Sequence, residues 1–248
     1  MIPKIIHYCW FGRNPLPKSA LKCIASWRKF FPDYEIMEWN EDNFDVNAIA
    51  YSRQAYEARK YAFVSDYARF KILYDNGGLY FDTDVEVIKP FDDILARGAF
   101  MGIEKSEATK SKNSIGWVGI NPGLGLGAEK GNKTYFAILE RYKEMDFDIN
   151  GGTVVKHTTD VMKKLGYDGT NDFQQVEDIC IYPDDYFCPM DSTTGLINIT
   201  NRSHSIHHYT CSWMNQKSLS FLLHRLKNKL IRIFGEKPVI SVSRLLKR

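Results

Sequence analysis

The sequence predicts an α/β domain with parallel strands at its amino-terminal end, and three observations carry that reading. "PKIIHYCWFG" is an apolar run ending in a glycine turn, the pattern of a buried first strand. "KSALKCIASWRKFFPDY" places apolar residues at helical spacing, and "YEIMEW" then alternates like a second strand. A strand, a helix and a strand in succession form a crossover unit, which sets two strands side by side in a parallel sheet.

Each later element has its own signal. In the first helix Leu21, Ile24, Trp27 and Phe30/Phe31 make the apolar stripe, and Pro32 stops it. The polar stretch "NEDNFDVNA" connects to a long helix predicted over 52–76. Asn76-Gly77-Gly78 closes that helix, because glycine tolerates the positive φ that a helix end needs. "LYFDTDVEV" follows as a strand carrying Asp82, Asp84 and Glu86, and Pro90 ends it. Residues 104–114, "EKSEATKSKNS", contain no large apolar side chain and are expected to form a surface loop. "WVGINPGLGLGAEKGN" is a glycine-rich return, and no internal repeat is present.

A chain of 248 residues with 44% hydrophobic content can bury one full core. It contains no run of about 18 apolar residues to span a bilayer. The opening "MIPKIIHYCW" has too short an apolar part and the wrong flanks for a secretory signal, so a cytoplasmic chain is expected. Five cysteines, an odd number without a C-x-x-C pair, point to reduced thiols and away from zinc. Charge divides the chain into a body, 1–216, and a tail, 217–248. The tail has nine Lys/Arg against one acid, net +8, which leaves −5 for the body. A nucleic-acid partner is not expected, because its basic footprint would lie across a folded face rather than in a tail. In the tail, Leu219, Leu222/Leu223, Leu226, Leu230 and Ile233/Phe234 recur at helical spacing, with Arg225, Lys227, Lys229 and Arg232 on much of the remaining surface. A basic amphipathic helix of this kind suits the anionic face of a membrane, so peripheral attachment to the cytoplasmic face is the expectation.

The acidic strand carries the chemistry. Alternate residues of an extended chain face one way, so Asp82, Asp84 and Glu86 share a side. Neighbouring like charges repel by roughly 1 kcal/mol in water and about 4 kcal/mol at a partly shielded site, so the cluster calls for a cation. Hard carboxylate oxygens with room for water suit Mg²⁺ or Mn²⁺, ions that commonly carry substrate phosphates. Just upstream, Asp66 and Arg69 stand at i and i+3 on one helix face. A carboxylate there accepts hydrogen bonds from sugar hydroxyls, and a guanidinium fork holds an anion or hydroxyl in fixed geometry.

Four segments, "IPKIIHYCWFG", "SDYARFKILYDNGGLYFDTDV", "IYPDDYFCP" and "IHHYTCSW", resemble in order and spacing glycosyltransferase family 32, whose transferases carry a D-x-D motif. That family includes bacterial capsule and lipopolysaccharide transferases and yeast initiating mannosyltransferases, and its core is similar to that of the large clostridial glucosylating toxins. The resemblance covers roughly residues 1 to 215. It implies a GT-A fold, a Rossmann-like mixed sheet flanked by helices, and transfer from a nucleotide sugar, UDP-linked by preference, with retention at the anomeric carbon. It implies Asp84 as the metal-binding aspartate, with Asp82 nearer the ribose and the metal's waters. Asp66 and Arg69 match the pair that holds the donor sugar, Tyr80 lies beside them, Trp10 matches a base-stacking aromatic, and Asn121 in "INPG" matches an asparagine that reaches the sugar. The resemblance also implies a third metal ligand in "IHHYTCSW": similar transferases place one five residues before the tryptophan, which selects His208, with His207 as its competitor. A glycan or lipid-linked glycan acceptor in surface polysaccharide synthesis completes the reading. At 151–161 the sequence lacks the Gly-Pro turn of related enzymes, which leaves the acceptor contacts unassigned.

Two rival classes use the same motif. A haloacid-dehalogenase-like phosphatase also carries D-x-D on a strand, but near the chain start and with a later G-D-x-x-x-D that this sequence lacks. A binding module could keep the fold without turnover.

Overall fold

The computed structural model describes residues 1–106, 117–192 and 194–210, together with positions 223, 226, 229–231 and 235. The elements run β1 (Ile5–Cys9), α1 (Lys18–Phe30), β2 (Glu35–Trp39), α2 (Ala50–Glu57), α3 (Tyr61–Asn76), β3 (Gly78–Tyr80), β4 (Val85–Val87), α4 (Asp92–Leu95) and β5 (Phe100–Ser106). They continue with β6 (Trp117–Ile120), β7 (Leu126–Ala128), α5 (Lys133–Lys143), α6 (Val154–Lys164), β8 (Gln174–Val176), β9 (Ile179–Tyr182), α7 (Asp184–Phe187) and β10 (Ser205–His207). One eight-stranded mixed sheet has the order β2-β1-β3-β7-β5-β9-β8, with β6 added on β5. The expected crossover is present, since β1 runs parallel to β2, Ile6 opposite Ile36, and also to β3, Ile6 opposite Leu79.

Alternate strand residues feed two apolar layers, as the two-residue period requires. Tyr80, Met101, Ile103 and Ile181 join the layer containing Val64, Phe70, Ile138 and Met162 from α3, α5 and α6. Leu79, Phe81, Phe100 and Cys180 join the other, with Ile24 and Trp27 of α1 and Phe91 and Phe187 beyond. Helices thus flank a mixed sheet, the architecture expected. The stripe on α1 is rotated from the expectation: Ala20, Cys23, Ile24 and Trp27 are buried, whereas Leu21 is 52% exposed. Cys9, Cys23, Cys180 and Cys188 are buried free thiols.

Two further expectations are corrected. The helix predicted over 52–76 is two helices, because Arg59 takes a left-handed φ of 57° and ends α2 as glycine commonly does. No residue type marks that break, and so periodicity ran through it. The acidic strand is also broken: after β3 the amide of Val85 bonds back to the carbonyl of Asp82 at 3.0 Å, so Asp82-Thr83-Asp84 is a turn. Beyond it β4 leaves the large sheet and pairs antiparallel with β10, Val85 opposite His207.

Several side chains fasten that turn. The Trp27 indole, fully buried, donates to the carbonyl of Val85 at 2.8 Å, and the Val87 amide donates to Ser26 Oγ at 2.9 Å, so α1 holds β4 directly. At the other end, Trp39 Nε1 donates to His7 Nδ1 at 3.0 Å, which leaves His7 Nε2 to donate to the carbonyl of Gly77 at 3.0 Å. That tautomer needs a neutral ring, and burial pushes the His7 pKa down to about 4 despite the Gly77 bond.

Of the predicted loop over 104–114, positions 104–106 extend β5, and the remainder lies outside the described residues. The tail over 217–248 lies outside them too, apart from the positions named. Residues 223, 226 and 229–231 are helical, with Leu223 55%, Leu226 52% and Leu230 36% exposed, while Ile231 is buried. No helix among the described residues is long and apolar enough to cross a membrane.

Candidate active site

The end of β1, the amino-terminal half of α3, the D-T-D turn and the segment after β10 converge on one cleft of about 750 Å³. Trp10, Asp66, Arg69, Asp82, Asp84 and Asn121 all line it.

Its centre is a buried fork. Arg69, 3% exposed, donates Nε to the carbonyl of Ser65 at 3.0 Å, one turn back in its own helix, which fixes the orientation of the guanidinium. Nη2 then reaches Asp66 Oδ1 at 3.2 Å and Asp82 Oδ1 at 3.3 Å. Tyr80 donates its hydroxyl to Asp82 Oδ1 at 2.9 Å, and its ring lies 5.0 Å from the Arg69 guanidinium carbon. Burial alone would lower the Arg69 pKa, but Asp82, Tyr80 and Asp66 outweigh it and raise it, so the charge is permanent. Burial raises the Asp66 carboxyl to about 7, with Arg69 opposing the rise and Asp82 adding to it. Gly123 makes this packing possible, since a Cβ there would stand 2.4 Å from Asp82 Oδ2.

Asp84 faces the fork across the turn. Its Oδ1 lies 3.2 Å from His207 Nε2, and its Oδ2 accepts from the amide and hydroxyl of Thr210 at 2.9 and 3.0 Å. Burial works against the charge, yet His207 and Thr210 hold the Asp84 carboxyl well below the usual carboxylate range. His207 responds in kind: burial lowers its pKa, and the Asp84 charge and hydrogen bond reverse that and lift it to about 9. Among the described residues, Asp82, Asp84 and His207 form a group whose potential ligand atoms all lie within 4.8 Å of one another.

The histidine expectation is therefore corrected. His208 points away from this group, with Nε2 2.7 Å from Glu86 Oε2, and both side chains are partly exposed. His207 is the last residue of β10 and turns inward, with its Nε2 3.2 Å from Asp84 Oδ1, and Tyr209 just beyond has a left-handed φ of 48°. Glu86 likewise leaves the acidic cluster, because the turn at 82–84 ends the extended register that would have aligned it.

Trp10 is half-buried at the cleft, and its indole Nε1 donates to the carbonyl of Asn14 at 2.6 Å. Asn121 is buried; its Oδ1 accepts from the Gly123 amide at 2.7 Å, and its Nδ2 donates to Glu104. Glu104, Gly123, Tyr209 and Thr210 are site residues that sequence reading missed. Glu104 had a signal, since the apolar run "FMGI" leads straight into it and extends β5 past its expected end. Thr210 had none.

A mixed α/β sheet thus presents two carboxylates, a histidine and an Arg–Asp fork in one cleft. Residues 17–101 match the family described as "Glycosyltransferase sugar-binding region containing DXD motif". Inositol phosphoceramide mannosyltransferase 3 of Schizosaccharomyces pombe is 30% identical over 127 residues, covering 50% of this chain and 35% of that protein. Inositol phosphoceramide mannosyltransferase 1 of the same yeast is 29% identical over 111 residues, 40% of this chain and 33% of that one. The chain thus spans about a third of the length of these two relatives. An uncharacterized glycosyltransferase of Acanthamoeba polyphaga mimivirus is 25% identical over 224 residues, covering 82% of this chain and 83% of its own. Among solved structures, the PaToxG glycosyltransferase is similar with a TM-score of 0.48 and 18% identity, over 66% of this chain and 69% of that one.

Proposed function

We propose that this chain is a divalent-metal-dependent, retaining hexosyltransferase that takes its sugar from a nucleotide sugar, UDP-linked by preference, and delivers it to a glycan or lipid-linked glycan in surface polysaccharide synthesis. The observation that carries this is the convergence of the Asp66–Arg69–Asp82 fork with the Asp84–His207 pair in one cleft. Asp82, Asp84 and His207 would hold the metal. Two carboxylates and one imidazole suit Mn²⁺ or Mg²⁺ with positions left for water and phosphate oxygens. The fit has independent support, since His207 Nδ1 is buried without a partner. When bound, such an ion supplies Lewis-acid neutralisation of the departing diphosphate.

The chain's own groups do the rest. Asp66 accepts from sugar hydroxyls, Arg69 fixes Asp66 and Asp82 relative to each other, Asn121 offers an amide N–H, and Trp10 presents its pinned indole to the base. Asp66, Asp82, Asp84 and Glu104 each accept from a donor within the protein, which lowers their nucleophilicity. That favours front-face transfer, in which the leaving phosphate assists the acceptor hydroxyl. It also weighs against the phosphatase reading, whose first aspartate would be Asp82, held here by Arg69 and Tyr80.

The deciding experiment incubates the protein with Mn²⁺ and a panel of nucleotide sugars and measures released nucleoside diphosphate. A mannosyl nucleotide belongs in the panel beside UDP-sugars, because the two yeast relatives are named for mannosyl transfer. Release depending on Mn²⁺ is expected; phosphate from phosphosugars would support the phosphatase, and UDP affinity without turnover the binding module. On the metal ligands, His207→Ala is expected to weaken UDP binding in Mn²⁺ by roughly tenfold or more, and His208→Ala by less than about twofold. Calorimetry with and without Mn²⁺ reads both, and equal effects would return the ligand assignment to open question.

The tail supports a location at the cytoplasmic face of an anionic membrane. Its net charge is +8, and each basic residue near such a surface adds roughly 1 kcal/mol of attraction. Leu223, Leu226 and Leu230 are exposed one turn apart beside it. Because Ile231 is buried, substitution tests this better than truncation. The variant L223S/L226S/L230S should stay in the supernatant with anionic liposomes at low salt, where the parent chain sediments and salt releases it. A parent chain that fails to sediment would end the membrane reading.

A further inference from the structure

The buried carboxylate of Glu104 has no place in the function just described. It lies on β5, is 6% exposed, and lines the same cleft as Asn121, His207 and Tyr209. A carboxylate so placed is costly unless a donor compensates it, and the Asn121 side-chain amide does so. We propose that Glu104 is a positioning residue that locks the Asn121 amide in one orientation, so that its remaining N–H is a fixed donor to the sugar being transferred.

The argument is one of donors and acceptors. Asn121 has one carbonyl oxygen and two N–H groups. The oxygen accepts from the Gly123 amide at 2.7 Å, and Glu104 takes one N–H. Flipping the amide would set N–H against N–H at Gly123 and oxygen against oxygen at Glu104, so the flipped state loses both bonds and gains two repulsions. Without Glu104 only the Gly123 contact distinguishes the two orientations. Asn121 itself is held in place by its backbone amide, which donates to the carbonyl of Gly102 at 3.0 Å, so only the side-chain torsion remains to be fixed. Burial raises the Glu104 carboxyl, while His207, Asn121 and Tyr209 draw it back toward the ionised, acceptor-only form that this arrangement needs.

Glutamine is the informative replacement, because it keeps the shape but removes the charge and replaces one of the two acceptor oxygens with an N–H group. The inference rests on the glycosyltransferase reading for its kinetic readout only. In E104Q, kcat for diphosphate release is expected to fall by roughly tenfold or more while UDP affinity in Mn²⁺ changes by less than about threefold. The melting temperature should drop by a few degrees, and the Asn121 side-chain amide resonances should shift. In E104Q/N121D the side-chain bond is rebuilt with its polarity reversed, so the melting temperature should recover while kcat does not, the outward donor having become an acceptor. Unchanged kcat in E104Q, or recovery of kcat together with stability in the double variant, would overturn the proposal. If the parent chain releases no diphosphate from any donor, the transferase reading fails by itself. The resonance shift and the recovery of stability then decide whether Glu104 orients Asn121.

Discussion

Asp84→Asn is expected to lower transfer by a factor of about 100 or more, equivalent to roughly 3 kcal/mol of lost electrostatic stabilisation, with the fold intact. Asparagine fills the same space, so packing around β4 and the Trp27 bond to Val85 should survive. The function does not survive as easily. In the parent chain both Asp84 oxygens accept, one at His207 and the other from two Thr210 donors. The amide has a single acceptor and no charge, so either His207 or Thr210 meets an N–H group, and the group of ligand atoms loses its strongest hard donor. Kinetics at saturating Mn²⁺, read beside circular dichroism, would check this. Near-parental turnover would show that the Asp82, Asp84 and His207 group is not where a metal acts.

Arg69→Lys carries the second largest expected effect, although it preserves charge. The guanidinium binds three partners at once: the Ser65 carbonyl, Asp66 and Asp82. An ammonium is a point charge that cannot span the fork, so one buried oxygen loses its donor, a loss of roughly 1–3 kcal/mol. For a domain of this size that corresponds to a fall in melting temperature of about 2–4 °C per kcal/mol. Transfer should suffer more, by roughly thirtyfold or more, because Asp66 and Asp82 lose their fixed separation and the sugar is held less firmly. UDP binding should change by less than about threefold. If the variant lost UDP binding but turned over bound donor normally, Arg69 would belong to the nucleotide and not to the sugar.

The sequence by itself determined a good part of this. The crossover at the amino terminus, the helix closed at Gly77 and the pairing of Asp66 with Arg69 are local matters, set by periodicity, by glycine's backbone freedom and by i, i+3 geometry. Tertiary structure decided where local rules reach their limit. Arg59 adopts left-handed backbone that its side chain does not advertise and so divides a helix, while the pairing of β10 with β4 turns His207, and not His208, toward Asp84. Pairing of β4 with β10 brings residues 85 and 207 together across more than a hundred residues, a contact no window of sequence contains. Glu104 shows the same limit, because its charge and polar neighbours in sequence suggest solvent. Its actual partner, Asn121, comes from the turn just after β6 and supplies a hydrogen bond that makes burial of a carboxylate tolerable.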